Sequence, residues 1–309
     1  MVLERECQPG RVGVLLGGPS SEREISIKSG KAVSRALRSR GVEVVEIGIE
    51  EEVREGLARE ALDAAFVVLH GRFGEDGQVQ ALLEKMGVPY TGSGVEASRL
   101  ALDKAASRAV FRGCGLPVPE TVLVRNGSAP ARLPFPFPVV VKPSREGSSI
   151  GLGMARDREE LEAACRTASA YDRTVLVEPL IAGKEITVGI LGDRALPAVE
   201  IIPSHPFFDF EAKYTPGVSE FLVPARLETS VAERAARVAL SAHAALGCYA
   251  YSRVDMLVRP GGDPVLLEVN TIPGFTENSL YPRACAAVGI SFEELCLELL
   301  RLARIRGRN

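Results

Sequence analysis

Hydrophobic and polar residues along the first hundred positions form blocks that predict strands and helices in turn. An aliphatic run at 11–16 ends in two glycines, and further aliphatic runs cover 43–47 and 64–69. Segments typical of helices lie at about 21–40 and 78–86. Strands that alternate with helices predict a parallel, doubly wound sheet.

Start and stop signals bound two of the predicted helices. Ser21 and Glu24 have the Ser-x-x-Glu spacing of a capping box, which predicts that the first helix begins there. A helix at 98–114 is followed by Gly-Leu-Pro-Val-Pro at 115–119, a sequence that ends helices.

The remainder of the chain is richer in strands. Prolines at 134, 136 and 138 mark a stiff connection, and a strand at 139–142 then enters a Gly/Ser loop. The next predicted elements are a helix at 158–168, a strand at 174–178, longer strands, a helix at 231–246, a hairpin and a C-terminal helix. We place domain boundaries near 100 and 180.

The hairpin is predicted from two alternating segments, 251–258 and 265–270, joined by the turn signal Gly-Gly-Asp at 261–263. Side chains two apart share a face of a strand, which groups Arg253 with Asp255 and Leu257. The same spacing groups Leu266 with Glu268 and Asn270.

The register of this hairpin decides which acidic groups meet. A two-residue loop at Gly261-Gly262 places Asp255 opposite Glu268 and Arg253 opposite Asn270, whereas a loop shifted by one residue places Asp255 opposite Asn270. Opposed carboxylates repel and need a positive partner, and carboxylate and amide oxygens suit Mg²⁺. A solvent-facing strand whose charges pair with Arg253 and a nearby lysine remains an alternative.

The strand at 139–142 and the loop after it have the features of a phosphate-binding segment. Gly147 and Gly151 permit close backbone approach, loop amides can face anionic oxygens, and Lys142 supplies a charge. The spacing is neither that of a P-loop nor that of a dinucleotide fingerprint. An ordinary hairpin loop is the alternative.

Composition narrows the class of protein. A net charge of −3 argues against a nucleic-acid-coating surface, and none of the six cysteines has CxxC spacing. The first residues lack the apolar core of a secretory signal, and no apolar run approaches the roughly 20 residues of a membrane span. We therefore expect a cytoplasmic protein with reduced thiols and with no membrane or nucleic-acid partner.

Eight blocks in a fixed order carry a resemblance to a known family. The blocks are LLGGPSSEREIS (15–26), LHGRFGEDG (69–77), YTGSG (90–94), LDK (102–104), VKPSREGSSIG (141–151), EAKYTPG (211–217), RVD (253–255) and LLEVNTIPGFTENSLYP (266–282). Through these blocks the chain closely resembles D-alanine–D-alanine ligases, which are members of the ATP-grasp superfamily, from about residue 11 to the C-terminal helix.

The resemblance implies a fold and a domain division. The fold class is α/β, with a parallel doubly wound N-terminal domain followed by a two-part ATP-grasp fold of α+β character. Residues 1–100 are expected to form a Rossmann-like substrate-binding domain. Residues 101–180 and 181–309 are expected to form the central ATP-grasp subdomain and the C-terminal catalytic domain.

The resemblance also implies the nucleotide and metal ligands. Lys104 and Lys142 contact ATP phosphates, Glu178 and the backbone after it meet the adenine, Ile181 donates its N–H to the ring, and Glu185 holds the ribose. Pro179 departs from the family, which often has lysine there; it lacks an N–H but keeps its carbonyl. Two Mg²⁺ (or Mn²⁺) ions are implied at three residues: Asp255, Glu268 and Asn270.

The remaining implied residues bind D-alanine or act on it. Glu22 pairs with the ammonium of the first D-alanine and is linked to Ser148 and Tyr214, and His70 lies nearby. Lone histidines at strand ends are otherwise more often structural. The second substrate meets Lys213, the Ser279 hydroxyl and the Leu280 N–H, and an oxyanion hole is formed by Arg253 and the Gly274 N–H.

The implied reaction is ATP-dependent joining of two D-alanine molecules through an acyl phosphate, for peptidoglycan precursor synthesis. Acyl phosphates hydrolyse, so we expect residues 203–219, which are rich in aromatics, to form a lid rather than a disordered loop. The family also implies a homodimer.

Four other functions compete with this one. Ligases that use D-lactate or D-serine as the second substrate are the nearest, although the EAKY block matches the dipeptide enzymes. A different ATP-grasp ligase, a nucleotide-binding regulator and an NAD oxidoreductase are less well supported by the motifs.

Overall fold

The computed structural model describes residues 10–49, 61–203 and 219–304. The helices in these ranges are α1 (Arg23–Ser39), α2 (Gln78–Met86), α3 (Val95–Leu102), α4 (Lys104–Gly113), α5 (Arg158–Ser169), α6 (Thr229–Ala245), α7 (Leu280–Ala286) and α8 (Phe292–Arg301). The strands are β1 (Arg11–Gly17), β2 (Glu43–Ile49), β3 (Ala64–Val67), β4 (Val122–Arg125), β5 (Val139–Pro143), β6 (Gly153–Ala155), β7 (Thr174–Pro179), β8 (Lys184–Leu191), β9 (Arg194–Ala195), β10 (Val199–Pro203), β11 (Ser219–Leu222), β12 (Tyr251–Val258) and β13 (Pro264–Asn270).

The chain divides into two compact units. Unit 1 combines Met1–Ser98, Cys248–Ser252 and Thr271–Asn309, and unit 2 combines Arg99–Gly247 and Arg253–Asn270. The predicted three-part division near 100 and 180 stays a prediction.

Unit 1 contains the parallel sheet that the alternating pattern predicts. Its strands lie in the order β2-β1-β3, and β1 is parallel to both neighbours. Buried side chains of β1 and β3 pack with α2 residues such as Val79 and Leu83, and with Ile272 from late in the chain. The late segments of unit 1 are thus joined to its N-terminal sheet by one apolar core.

An aromatic cluster forms a second part of this core. Phe275 lies within 5.6 to 6.2 Å, ring centre to ring centre, of the rings of Phe66, Tyr251, Tyr281 and Phe292. These rings come from β3, the start of β12, α7 and α8. Burying so many large rings together stabilises the return of the chain to unit 1.

Unit 2 is built on two antiparallel sheets. One has the strand order β4-β7-β5-β6, and apolar side chains of α5 pack on it in a core that includes Leu161 and Val177. The other has the order β11-β10-β8-β12-β13, with β9 paired to β8.

Two local helix predictions were wrong, one about the continuity of a helix and one about a helix start. The segment 98–114 contains a break, because Asp103 accepts hydrogen bonds from the N–H groups of Ala105 and Ala106 and so begins α4 separately from α3. The capping box at Ser21 is not formed: α1 begins at Arg23, its N-cap residue is Glu22, and no side chain caps it. Ser20 lies close by instead and accepts a hydrogen bond from the Glu22 N–H.

Within the described ranges, no helix has both the length and the apolar character needed to cross a bilayer. The segment predicted to be a lid falls almost entirely at 204–218, outside the described residues.

Candidate active site

A cavity of about 800 Å³ lies within unit 2, with walls from both of its sheets. Its size is within the range of small-molecule sites. The apolar part of the wall includes Val140, Met154, Leu180, Ile181, Ile202, Leu257 and Leu267. The charged part includes Lys104, Lys142, Glu178, Glu185, Asp255 and Glu268, all of which were predicted from the sequence to bind nucleotide or metal.

The hairpin of β12 and β13 brings Asp255 opposite Glu268 and Arg253 opposite Asn270, as the first predicted register requires. The predicted turn is wrong, however. Val258 pairs with Pro264, the Arg259 N–H donates to Asp263 O, and the connection is three residues long rather than two. Gly262, with φ of +82°, takes the left-handed position that such a loop needs.

A β-bulge restores the register beyond this longer turn. Met256 pairs with Leu266 while Asp255 pairs with Glu268, so Leu267 is the extra residue. The predicted grouping of Leu266 with Glu268 is therefore wrong: Leu266 is buried away from the cavity, and Leu267 and Glu268 both line it. The predicted turn was one residue too short, and the bulge was not predicted. Because each error shifts the pairing by one residue in the opposite direction, the predicted partners of Asp255 and Arg253 were still correct.

The two carboxylates have basic neighbours. Arg253 donates from Nε and Nη2 to Asp255, at 2.9 and 2.7 Å, and Lys104 Nζ lies 3.0 Å from Glu268 Oε2. The alternative drawn from the sequence anticipated this pairing with arginine and lysine. It also required a solvent-facing strand, whereas Asp255 is only 8% exposed and faces the cavity.

The chemistry of these residues fits a hard divalent cation. Two carboxylates and the Asn270 amide lie on neighbouring strands, and oxygen ligands of this kind leave coordination positions for water and phosphate. Among the described residues, no group of three or more His, Cys, Asp or Glu side chains could hold a metal ion by itself. An ion at this hairpin would thus depend on the amide and on oxygens from outside the protein.

Glu178 is the centre of a buried charge network at the cavity wall. Its carboxylate accepts hydrogen bonds from Arg108 Nε at 3.0 Å and from the Thr121 hydroxyl at 3.0 Å, and Lys142 Nζ lies 2.7 Å from its second oxygen. Burial opposes ionisation, but the Lys142 and Arg108 charges prevail and lower the pKa of Glu178 from 4.5 to about 2. Burial of the Lys142 ammonium lowers the pKa of this group, although the negative charge of Glu178 opposes the shift.

Substitution of Glu178 by glutamine is expected to lower the free energy of unfolding at pH 7 by about 3–5 kcal/mol, because the buried Arg108 and the largely buried Lys142 lose their shared anion. The depressed pKa stabilises the fold above pH 4.5, and this contribution is lost as the pH falls toward 2. Between pH 7 and 3.5 the Glu178 contribution to the free energy of unfolding falls by about 1 kcal/mol.

Urea unfolding of the wild type and Glu178→Gln at both pH values tests this expectation. The wild type should lose about 1 kcal/mol more than the variant between pH 7 and 3.5. An identical loss in the two proteins would show that Glu178 is not the group responsible.

The Gly/Ser loop after β5 has an unusual backbone. Ser148 and Ser149 have φ values of +48° and +60°, and Gly151 has φ of +71°. Left-handed serines cost about 1–2 kcal/mol each, and such strain is concentrated at functional sites. The start of the loop is held by Arg145, which donates from Nε and Nη2 to Asp172 at 3.0 Å each.

The end of β7 presents one wall of the cavity. The Leu180 N–H donates to Pro138 O at 3.0 Å, so the next backbone donor along the chain is the predicted one, Ile181 N–H. Glu185, predicted to hold a ribose, lies on β8 opposite Ile201 and also lines the cavity.

Unit 1 brings together two of the predicted substrate residues. Glu22 and His70 are 8% and 4% exposed, and both border Gly71. Gly71 has φ of +68°, and a Cβ on it would lie 3.1 Å from Glu22 Oε2, so a larger residue would displace the carboxylate. His70 Nδ1 lies 2.9 Å from Ile272 O, and because a carbonyl only accepts, Nδ1 carries the proton.

Ser279 and Gly274 lie together in the turn before α7. Ser279 Oγ accepts a hydrogen bond from the Thr276 N–H at 3.0 Å, and a Cβ on Gly274 would be 3.3 Å from Ser279 Oγ. Leu280 is the first residue of α7, where backbone N–H groups lack helical partners and favour an anion. Ser279 and Leu280 were predicted to bind the second carboxylate and Gly274 to contribute to the oxyanion hole, and both roles stay predictions.

Two predicted residues, Lys213 and Tyr214, lie outside the described residues. Conversely, the sequence did not predict that Arg108 and Thr121 donate to Glu178, and it did not predict the bulge at Leu267. A signal for Arg108 was available: it follows Lys104 by four residues, a spacing that puts both on one helix face.

Comparison with known families covers nearly the whole chain. Residues 110–301 match the family model described as the D-ala D-ala ligase C-terminus, and residues 11–59 and 52–93 match the D-ala D-ala ligase N-terminus. The chain is 50% identical to a D-alanine–D-alanine ligase from Citrifermentans bemidjiense, over 97% of this chain and 98% of that protein.

Solved structures agree with these matches. A D-alanine–D-alanine ligase from Bacillus anthracis complexed with ATP is 33% identical with a TM-score of 0.83, over 95% of this chain and 97% of that one. The VanG D-Ala:D-Ser ligase from Enterococcus faecalis is 31% identical with a TM-score of 0.83, over 96% of this chain and 99% of that one. The predicted fold class, a parallel α/β part with an ATP-grasp part, is confirmed.

Proposed function

Because the chain belongs to the D-alanine–D-alanine ligase family, we propose that it joins two D-alanine molecules to D-alanyl-D-alanine. ATP is consumed, an acyl phosphate is the intermediate, and ADP and phosphate are released. A free carboxylate is a poor acylating agent, and phosphorylation gives it a good leaving group.

One observation carries the proposal: the opposed carboxylates of Asp255 and Glu268 face a cavity that also contains Lys104 and Lys142. Apolar side chains such as Val140, Met154 and Leu267 form another part of the wall, which suits a purine base, while the lysines suit phosphate oxygens. A purely structural hairpin does not need two carboxylates that face a cavity already lined by two lysines of other elements.

ATP occupies this cavity with its base at the end of β7. Ile181 N–H donates to the adenine, the Pro179 carbonyl and the Glu178 region border it, and Glu185 binds the ribose hydroxyls. Lys142 and Lys104 contact the phosphates, assisted by the backbone amides of the strained Gly/Ser loop. Positioning and electrostatic stabilisation then carry the phosphoryl transfer.

Two Mg²⁺ (or Mn²⁺) ions would be held by Asp255, Glu268 and Asn270, whose oxygens fit such cations. When bound, they neutralise phosphate charge and assist its transfer. Arg253 fixes the plane of the Asp255 carboxylate through its bidentate pair, and Lys104 contacts Glu268. The protein thereby holds these carboxylates close together before the nucleotide arrives.

The amino-acid substrates require the remaining residues. Glu22 binds the ammonium of the first D-alanine, near His70. Ser148 and Tyr214 are linked to Glu22 by hydrogen bonds. The carboxylate of the second D-alanine binds the Ser279 hydroxyl, the Leu280 N–H and Lys213. Its neutral amine attacks the acyl carbon, and Arg253 with the Gly274 N–H stabilises the tetrahedral oxyanion.

The domain roles, partners and location follow the family. Residues 1–100 bind substrate, and residues 101–180 and 181–309 form the ATP-grasp part. The enzyme is a homodimer that acts in the cytoplasm, where its product enters peptidoglycan precursors. Light scattering on the purified protein measures the oligomeric state.

The decisive assay measures ADP release from ATP and Mg²⁺ with D-alanine, compared with L-alanine, and identifies the dipeptide by mass. We expect release that depends on D-alanine and yields D-alanyl-D-alanine. Equal release with either enantiomer, or none, would contradict the proposal. Adding D-serine or D-lactate together with D-alanine tests these compounds as second substrates, and we expect D-alanyl-D-alanine to remain the main product.

A further inference from the structure

Arg108 has an unusual set of contacts for a buried cation. It lies on α4, is 2% exposed, and makes four hydrogen bonds with one guanidinium. Nε and Nη2 donate to Glu178 at 3.0 and 3.4 Å, and Nη1 donates to the carbonyls of Leu266 and Leu267 at 3.1 and 2.5 Å.

The two carbonyls belong to the bulge that sets the register of the hairpin. A bulge interrupts the ladder of backbone hydrogen bonds, and a buried carbonyl left without a donor destabilises the fold. Arg108 supplies that donor. The Pro117 carbonyl completes the support by accepting from the Leu266 N–H at 2.7 Å.

The other half of the guanidinium acts on the phosphate side of the cavity. Arg108 and Lys142 share the Glu178 carboxylate, with Arg108 Nε at one oxygen and Lys142 Nζ at the other. The position of the Lys142 ammonium is therefore set partly by how Arg108 holds Glu178. Lysine could not replace this function, because only the planar fork presents donors in both directions at once.

We propose that Arg108 is a positioning residue that fixes Glu268 through the bulge and Lys142 through Glu178, and so aligns the metal-binding and phosphate-binding groups. This inference rests on the proposed binding of a nucleotide and divalent ion in the unit 2 cavity. Arg108 itself does not line that cavity and needs no contact with either ligand.

The test compares Arg108→Met and Arg108→Lys with the wild type, and Arg112→Met serves as the matched control. Arg112 is also on α4 and also donates to a backbone carbonyl, that of Pro119 at 3.0 Å, but within the described ranges it donates neither to Glu178 nor to the carbonyls of the bulge. Mn²⁺ binding is measured by electron paramagnetic resonance at saturating ADP, together with the melting temperature.

Both Arg108 variants are expected to bind Mn²⁺ at least tenfold more weakly, while Arg112→Met stays within about twofold. In turnover, the Mg²⁺ and ATP concentrations at half-maximal rate should rise at least tenfold, and the KM for D-alanine should change less than twofold. A merely structural role would lower the amount of folded enzyme and leave these half-saturation values unchanged.

Wild-type Mn²⁺ affinity in the folded fraction of either Arg108 variant would overturn the inference. If Arg108→Met does not fold, Arg108→Lys carries the test, because lysine still offers Glu178 a cation. Failure of the wild type and Arg112→Met to bind Mn²⁺ with ADP would instead contradict the proposed function.

Discussion

Glu268→Gln is expected to lower kcat/KM for ATP by about 10²- to 10³-fold, the usual effect of removing one preorganised electrostatic group. Glutamine keeps the shape of the side chain but removes one of the two negative charges on the cavity face of the hairpin. The side chain is 24% exposed, so the substitution should leave the fold intact. Steady-state ADP release at several Mg²⁺ concentrations measures the effect.

Asp263→Asn is the matched control for this prediction. It removes a carboxylate from the same hairpin, but Asp263 is exposed next to the turn and does not line the cavity. Its activity should stay within about twofold of the wild type. A Glu268→Gln enzyme that retained more than a third of wild-type kcat/KM would contradict the role assigned to this carboxylate.

Lys142→Met is expected to lower kcat by about 10²- to 10³-fold, since it removes the charge that we propose stabilises the transferred phosphoryl group. Methionine fills much of the same volume, and Glu178 keeps its ion pair with Arg108. Loss of activity should therefore exceed any loss of stability. Single-turnover measurement of acyl-phosphate formation, alongside thermal unfolding, separates the two effects.

Lys85→Met provides the comparison for Lys142→Met, because Lys85 is exposed near the end of α2 and its loss should have no effect on rate. A folded Lys142→Met enzyme with kcat within tenfold of the wild type would show that the ammonium does not act on the phosphate.

The alternation of strands and helices allowed much of unit 1 to be predicted. The apolar runs at β1 and β3 mark a buried sheet, and α2 was predicted with the observed bounds, Gln78–Met86. The start of α1 was not predicted correctly, because a capping box depends on the backbone angle at one residue, and here the chain enters the helix through Glu22.

The candidate site was predictable where chemistry is local. Alternation along β12 and β13 placed Arg253, Asp255, Glu268 and Asn270 on one face, and the resemblance named the same residues. Leu267 was missed because a bulge changes pairing without leaving a signal in the alternation of one strand. The contacts of Arg108 were missed because they join residues about 70 and 158 positions apart.

We propose that a divalent ion accompanying the nucleotide neutralises the paired carboxylates of the hairpin. Calorimetric titration of ADP into the wild type, with Mg²⁺ and then with EDTA, measures this effect, and Glu268→Gln is titrated in parallel. We expect Mg²⁺ to tighten ADP binding at least tenfold in the wild type and much less in the variant. Equal ADP affinity with Mg²⁺ and with EDTA, or the full gain in Glu268→Gln, would contradict it.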